Sequence, residues 1–290
     1  MTKRTKAVIA LASSMLLFST IGFFRNEIPL PSSLVACVRG IIGSLLIILF
    51  MALTNKRFDW EAFRKDWKTL VLSGAMIGAN WALLFEAYRE TTIAVATICY
   101  YMAPIFLTLG SFLFLKERIS WKKMICVAIA FCGTLSVSGV FGGEGGNFKG
   151  ILLGLGAAVL YGGVMMLNQK LKAYPTFDRT IVQLMIAGIG MIPYVLLTED
   201  VSVLSCDTKG YICLAILCLV HTAFAYILFF SSMPHVDAQT VAVYCYIDPV
   251  MAVVLSALVF REELGITGIV GAILILGAAF MSERIGSKSE

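Results

Sequence analysis

Of the 290 residues, 59% are hydrophobic and 14% are charged, against roughly 45–50% and about 25% in soluble globular domains. A water-soluble fold of this length could not hide so much apolar surface, so the composition calls for a bilayer as solvent. The net charge of +5 does not point to nucleic acid, because the basic residues are scattered through short loops and not gathered on one strip.

In chain order, apolar stretches suited to spanning helices cover 7–24, 33–53, 68–88, 91–115, 122–140, 150–169, 180–197, 210–232, 238–260 and 266–282. Each is near the ~20 residues that a helix needs to cross about 30 Å of hydrocarbon. The start, Met-Thr-Lys-Arg and an apolar run, has the look of a secretory signal. The run from Ala7 to Phe24 is long for one, however, and no small-residue cleavage site follows, so it reads as the first span. The intervening loops are marked by Pro29-Leu30-Pro31, by Tyr174-Pro175 or by charge clusters. None is long enough to fold as a soluble domain, so an all-α membrane protein is expected. The eight cysteines fall in no metal-ligand or redox spacing, and all but Cys206 lie in apolar segments as small hydrophobes. No metal or cofactor is expected.

Gly142-Gly143-Glu144-Gly145-Gly146 lies near the chain midpoint. A phosphate loop would need a following Lys-Ser/Thr and a preceding strand, and neither is present. The stretch reads instead as a flexible hinge between two units, residues 1–144 and 145–290.

Lys and Arg placement tests the span count. Alternating sides from the N-terminus gathers 17 basic residues on one side, including Lys3, Arg4, Lys56, Arg57, Lys116, Lys122, Lys170 and Arg284. The other side holds five, Arg25, Arg89, Lys149, Lys209 and Arg261, with Arg39 inside a span. This asymmetry fits ten spans with both termini cytoplasmic, at the cell membrane.

Spans 4 and 9 repeat one another at an offset of 145 residues. Tyr101-Met102-Ala103-Pro104 matches Tyr246-Ile247-Asp248-Pro249, Ser111 matches Ser256, Lys116-Glu117 matches Arg261-Glu262, and Phe85 matches Phe230. Five spans per half is an odd number, so the second half enters the membrane from the opposite face. Inverted repeats of this kind typify secondary transporters, with the substrate site near the midplane where the halves meet. A duplicated scaffold without transport is the alternative reading.

On these residues, from Tyr100-Tyr101-Met102-Ala103-Pro104 through Lys116-Glu117 and from Tyr246 through Arg261-Glu262, together with Arg39, the chain resembles the drug/metabolite transporter superfamily in its ten-helix EamA-type branch. The resemblance implies two five-helix bundles around a central cavity and alternating access. It says little of the substrate, since members carry amino acids, nucleotide precursors, amines and drugs.

Ionisable groups at bilayer depth each cost about 2.5–3.5 kcal/mol on insertion scales and need a reason to be there. Asp248, beside Pro249 in span 9, is the strongest candidate for a substrate or proton role. It also suits the N-cap of a broken half-helix. Arg39 and Glu86 could form a structural ion pair or present opposite charges to a zwitterion. His221 could relay protons or simply pack. Asn80 and Trp81 could line a cavity, or Asn80 could bond helices together. Among many aromatics Tyr101 and Tyr246 stand apart, because each precedes its proline by three residues and so shares a helix face with it. Pro104 and Pro249 are expected to be hinges. Glu117 and Glu262, thirteen residues further on or about 20 Å along a helix, are expected to latch the gates.

The function expected is secondary transport of small metabolites, amino acids or related amines, by alternating access and as an exporter, with no enzymatic activity. Partners are the substrate and the lipid bilayer, not nucleic acid, and Asp248 or Glu86 offers a site for proton coupling. The alternatives are a choline-type quaternary-amine importer, and a scaffold or intramembrane enzyme.

Overall fold

The computed structural model describes residues 2–115, 120–137, 147–171, 174–200, 205–236, 241, 244–261 and 265–287. Among them all regular structure is helical, as a bilayer requires of a chain that does not close into a barrel. Span 1 is α1 (Lys3–Ser19) and α2 (Ile21–Asn26), span 2 is α3 (Ser32–Leu53) and span 3 is α4 (Trp60–Glu90). Span 4 is broken into α5 (Ile93–Tyr100) and α6 (Ala103–Leu115), and span 5 is α7 (Trp121–Val137). In the second half, span 6 is α8 (Phe148–Lys170) and span 7 is α9 (Thr176–Thr198). Span 8 runs through α10 (Thr208–Cys218), a π-helical turn (Leu219–Phe224) and α11 (Ala225–Ser232). Span 9 contains α12 (Ile247–Leu255) and a π-helical turn (Ser256–Phe260), and span 10 is α13 (Ile266–Ser287).

Seven of these spans are long and apolar enough to cross a membrane, and spans 5, 9 and 10 contribute shorter apolar helices among the described residues. The protein is thus a multi-pass membrane protein with ten helical spans. The expected bounds shift where local chemistry extends or breaks a helix. Span 3 begins eight residues early because Asp59 caps it, accepting the Ala62 N–H at 2.9 Å, with Glu61 in the first turn. Its 31 residues cover about 46 Å, so the polar first turns extend beyond the hydrocarbon. Span 1 bends at Thr20, where the Ser19 and Thr20 hydroxyls donate back to Leu16 and Leu17 carbonyls.

The two repeats of five spans pack in a pattern that a two-fold axis would generate. Span 2 lies on span 7 and span 5 on span 10, while the pairing of spans 3 and 6 is matched by that of spans 8 and 1. Pro31 and Pro175 precede spans 2 and 7 in the same extended conformation, with φ of −55° and −56°. The seam between these spans needs glycine. A methyl group added at Gly40 would sit 2.6 Å from the Gly188 nitrogen, and one added at Gly78 of span 3 would sit 2.7 Å from the Ala187 carbonyl oxygen. Gly74 and Gly78 therefore serve close helix packing, as their spacing suggests.

Candidate functional site

The two proline breaks adopt one backbone geometry. Tyr101 closes α5 with φ −71° and ψ 3°, and Tyr246 precedes α12 with φ −76° and ψ −7°. A proline has no N–H to return to the residue four before it, so each helix loosens there. Asp248 is not the N-cap of its half-helix. Tyr246 holds that position without a side-chain cap bond, and Asp248 and Pro249 lie in the first turn. This frees the Asp248 carboxyl to face a different partner. The Tyr101 hydroxyl of the other repeat lies 2.8 Å from Asp248 Oδ2 and 3.2 Å from the Cys245 carbonyl oxygen.

These groups border a cavity of about 250 Å³. Tyr101, Tyr246, Asp248, Trp81, Arg39 and Pro104 all line it, so both repeats contribute walls. The rings of Tyr101 and Tyr246 lie 6.3 Å apart, and Tyr100 stacks on Tyr161 at 5.3 Å.

Arg39 is 2% exposed. Its guanidinium lies 4.2 Å above the Trp81 ring and 5.5 Å from that of Phe85. Nε donates to Thr222 Oγ1 at 2.7 Å, and Nη2 lies 3.5 Å from the His221 carbonyl oxygen. That carbonyl belongs to the π-helical turn of span 8, where the backbone ladder is disturbed. No carboxylate pairs with Arg39 among the described residues. A desolvated guanidinium with no described carboxylate partner thus stands at the edge of the cavity.

Three expected site residues do not line this cavity. Asn80 is 1% exposed and donates through Nδ2 to the Ala157 carbonyl at 2.6 Å, joining spans 3 and 6. Glu86 does not pair with Arg39. It accepts from Ser32 at 2.6 Å and lies 3.5 Å from Arg89, while Ser32 accepts from the buried Arg25 at 2.8 Å. Arg25 also donates to the Ile28 and Leu30 carbonyls, so this cluster fixes the loop between spans 1 and 2. His221 packs on Phe24 at 4.8 Å, with Nε2 2.8 Å from the Thr20 hydroxyl and Nδ1 3.2 Å from the Ile216 carbonyl. In each case hydrogen bonds engage the polar side chain away from the cavity, although Asn80 Oδ1 is buried without a partner among the described residues. Pro104 lines the cavity and Pro249 is buried beside it. Glu117, Glu262 and the glycine-rich stretch lie outside the described residues.

Sequence reasoning missed two threonines. Thr222 holds Arg39, and its signal was a His-Thr pair inside an apolar span. Thr97 is buried on the cavity wall, where Tyr88 is its side-chain neighbour. It lies one helical turn before Tyr101, which is the signal that could have found it.

Comparison with known proteins bears on this arrangement. The EamA-like transporter family matches the chain twice, over residues 5–139 and 148–283. An uncharacterised transporter of Bacillus subtilis, YxxF, is 28% identical over 269 residues, covering 90% of this chain and 85% of its own. An uncharacterised transporter of Archaeoglobus fulgidus is 23% identical over 276 residues, covering 95% of both chains. The protein RarD of Salmonella typhi is 23% identical over 145 residues, about half of each chain at 48%. A solved crystal structure shares the fold, with a TM-score of 0.67 at 16% identity, over 98% of this chain and 99% of that one.

Proposed function

The chain belongs to the EamA-like transporter family, and from that premise we propose that it carries small zwitterionic metabolites, amino acids or related amines, by alternating access. One observation supports this reading above the others. A single cavity between the repeats holds a cation, Arg39, and an acid, Asp248, without an ion pair between them. The substrate's carboxylate would take the guanidinium, whose planar fork suits two oxygens. Its ammonium would take Asp248 and the surrounding tyrosine faces. The cavity volume of about 250 Å³ is just under the ~300–1,000 Å³ of pockets for drug-sized ligands, which suits a small metabolite.

In this reading the halves 1–144 and 145–290 rock about the breaks at Pro104 and Pro249, with Glu117 and Glu262 as alternate latches. The termini are cytoplasmic, the location is the cell membrane, and transport is outward. The protein acts as a carrier and not as an enzyme or a scaffold, because charged and aromatic groups from both repeats converge on one cavity. A quaternary-amine importer is less favoured, since the Trp81 face that would hold such a cation already carries Arg39.

Uptake and counterflow in proteoliposomes, with a panel of amino acids and amines, tests the proposal. At least one amino acid should be transported. Arg39→Gln should weaken it about 10- to 100-fold, the loss of a charge-assisted bond, and leave amines that lack a carboxylate unaffected. Absence of flux and binding across the panel overturns the carrier reading. Tight choline binding that resists competition by every amino acid favours the quaternary amine.

A further inference from the structure

We infer that Asp248, Tyr101 and the Cys245 carbonyl form a proton-binding site that clamps the two repeats together when it is loaded. The argument is an inventory of hydrogens. The Tyr101 hydroxyl has one proton to give, yet two acceptors lie within bonding distance, Asp248 Oδ2 at 2.8 Å and the Cys245 carbonyl at 3.2 Å. The second acceptor is a consequence of Pro249. Residue 245 is four before that proline, so no N–H at 249 returns to it.

Both contacts become hydrogen bonds when Asp248 is a neutral carboxylic acid. Its O–H donates to the tyrosine oxygen, and the tyrosine O–H donates to the Cys245 carbonyl, in one directional chain. On ionisation the acid gives its proton to a water in the cavity, leaving carboxylate and hydronium. The tyrosine O–H then turns to the carboxylate, the stronger acceptor, and the carbonyl loses this donor. The loaded chain ties span 4 of one repeat to the break in span 9 of the other by two bonds, and the unloaded one by a single bond. Proton loss therefore exchanges two ties for one, and Tyr101 no longer holds the carbonyl at the span 9 break.

Besides Tyr101, the titratable and charged groups that share the cavity with Asp248, among the described residues, are Arg39, Tyr88, Tyr100, Tyr161, Tyr226, Tyr246 and Cys245. Span 1, which packs on α12, brings Met15 and Phe18 to this cavity and no ionisable side chain. Arg39 is bonded to Thr222, so no described ion pair holds Asp248 charged. On the carrier reading above, an ammonium needs the ionised acid and a proton needs its oxygen, so substrate and proton exclude one another at Asp248. Binding of a zwitterion then releases a proton, and exchange of the two across the membrane follows.

Infrared difference spectra of reconstituted protein across a pH titration test the site without any transport. A carboxylic C=O band should vanish on alkalinisation, be absent in Asp248→Asn and rise in frequency in Tyr101→Phe, where the acid's hydroxyl has lost its acceptor. Should Asp248→Asn fail to reconstitute, Asp248→Glu must shift the band. No such band, or one that Tyr101→Phe and Asp248→Glu leave in place, overturns the proton site even if amino acids are transported. The band with no flux of any substrate upholds the site and overturns the carrier reading.

Discussion

The breaks in spans 4 and 9 share a tyrosine, a proline and a backbone turn, but only the second carries an acid, with Ala103 standing where the repeat would place it. The same asymmetry runs the other way in spans 2 and 7. Arg39 is the eighth residue after Pro31, and Gln183 is the eighth after Pro175. Gln183 does not border the cavity. It donates to Ser73 and Asn168, both at 2.7 Å, and joins spans 3, 6 and 7. Each repeat thus supplies one charge and one neutral counterpart. Duplication provides two proline breaks and two seams, while single substitutions decide which seam carries a charge to the cavity and which ties helices together.

The sharpest way to break this comparison is to move the acid. Asp248→Leu should lower substrate flux in proteoliposomes about 10- to 100-fold, the cost of a lost charge-assisted contact. Adding Ala103→Asp should not restore it, because Ala103 is 2% exposed within an apolar cluster, where an added carboxylate would be desolvated. A restored rate would make the breaks interchangeable. The seam that sets Arg39 in place comes next. Gly188→Leu should destabilise the bundle by about 1–3 kcal/mol through overpacking, read as a lower melting temperature in detergent and weaker substrate binding. Gly190→Leu, whose added carbon meets nothing within 4 Å, should change neither. The smallest effect is expected at Gln183→Ala. It should cost about 1 kcal/mol of stability for a net hydrogen bond and leave substrate affinity unchanged. A loss of affinity without a loss of stability would put Gln183 with Arg39.

Much of the fold was legible because it is written locally. A 20-residue apolar run and a proline without an N–H act through neighbours in the chain, whereas the Asp59 cap went unread and moved the start of span 3. The repeat marked Tyr101 and Pro104, and the cost of an ionisable group in a bilayer marked Asp248; all three line the cavity. Asn80, Glu86 and His221 were expected at the cavity and do not line it. In a bilayer the lipid-facing and buried sides of a helix are both apolar, so the periodicity that reveals the inner face of a soluble helix is weak. Trp81 and Asn80 are adjacent, yet one lines the cavity and the other bonds to Ala157.

The sequence by itself determined the ten spans, the parity that inverts the repeats and the two breaks, since hydropathy, loop charge and proline chemistry are properties of the chain. Only the tertiary structure decided that Arg39 stacks on Trp81 in place of pairing with Glu86, and that Tyr101 reaches across to Asp248. Those choices depend on helix rotation and on contacts between residues 147 positions apart, which packing at the glycine seams sets and no local pattern encodes.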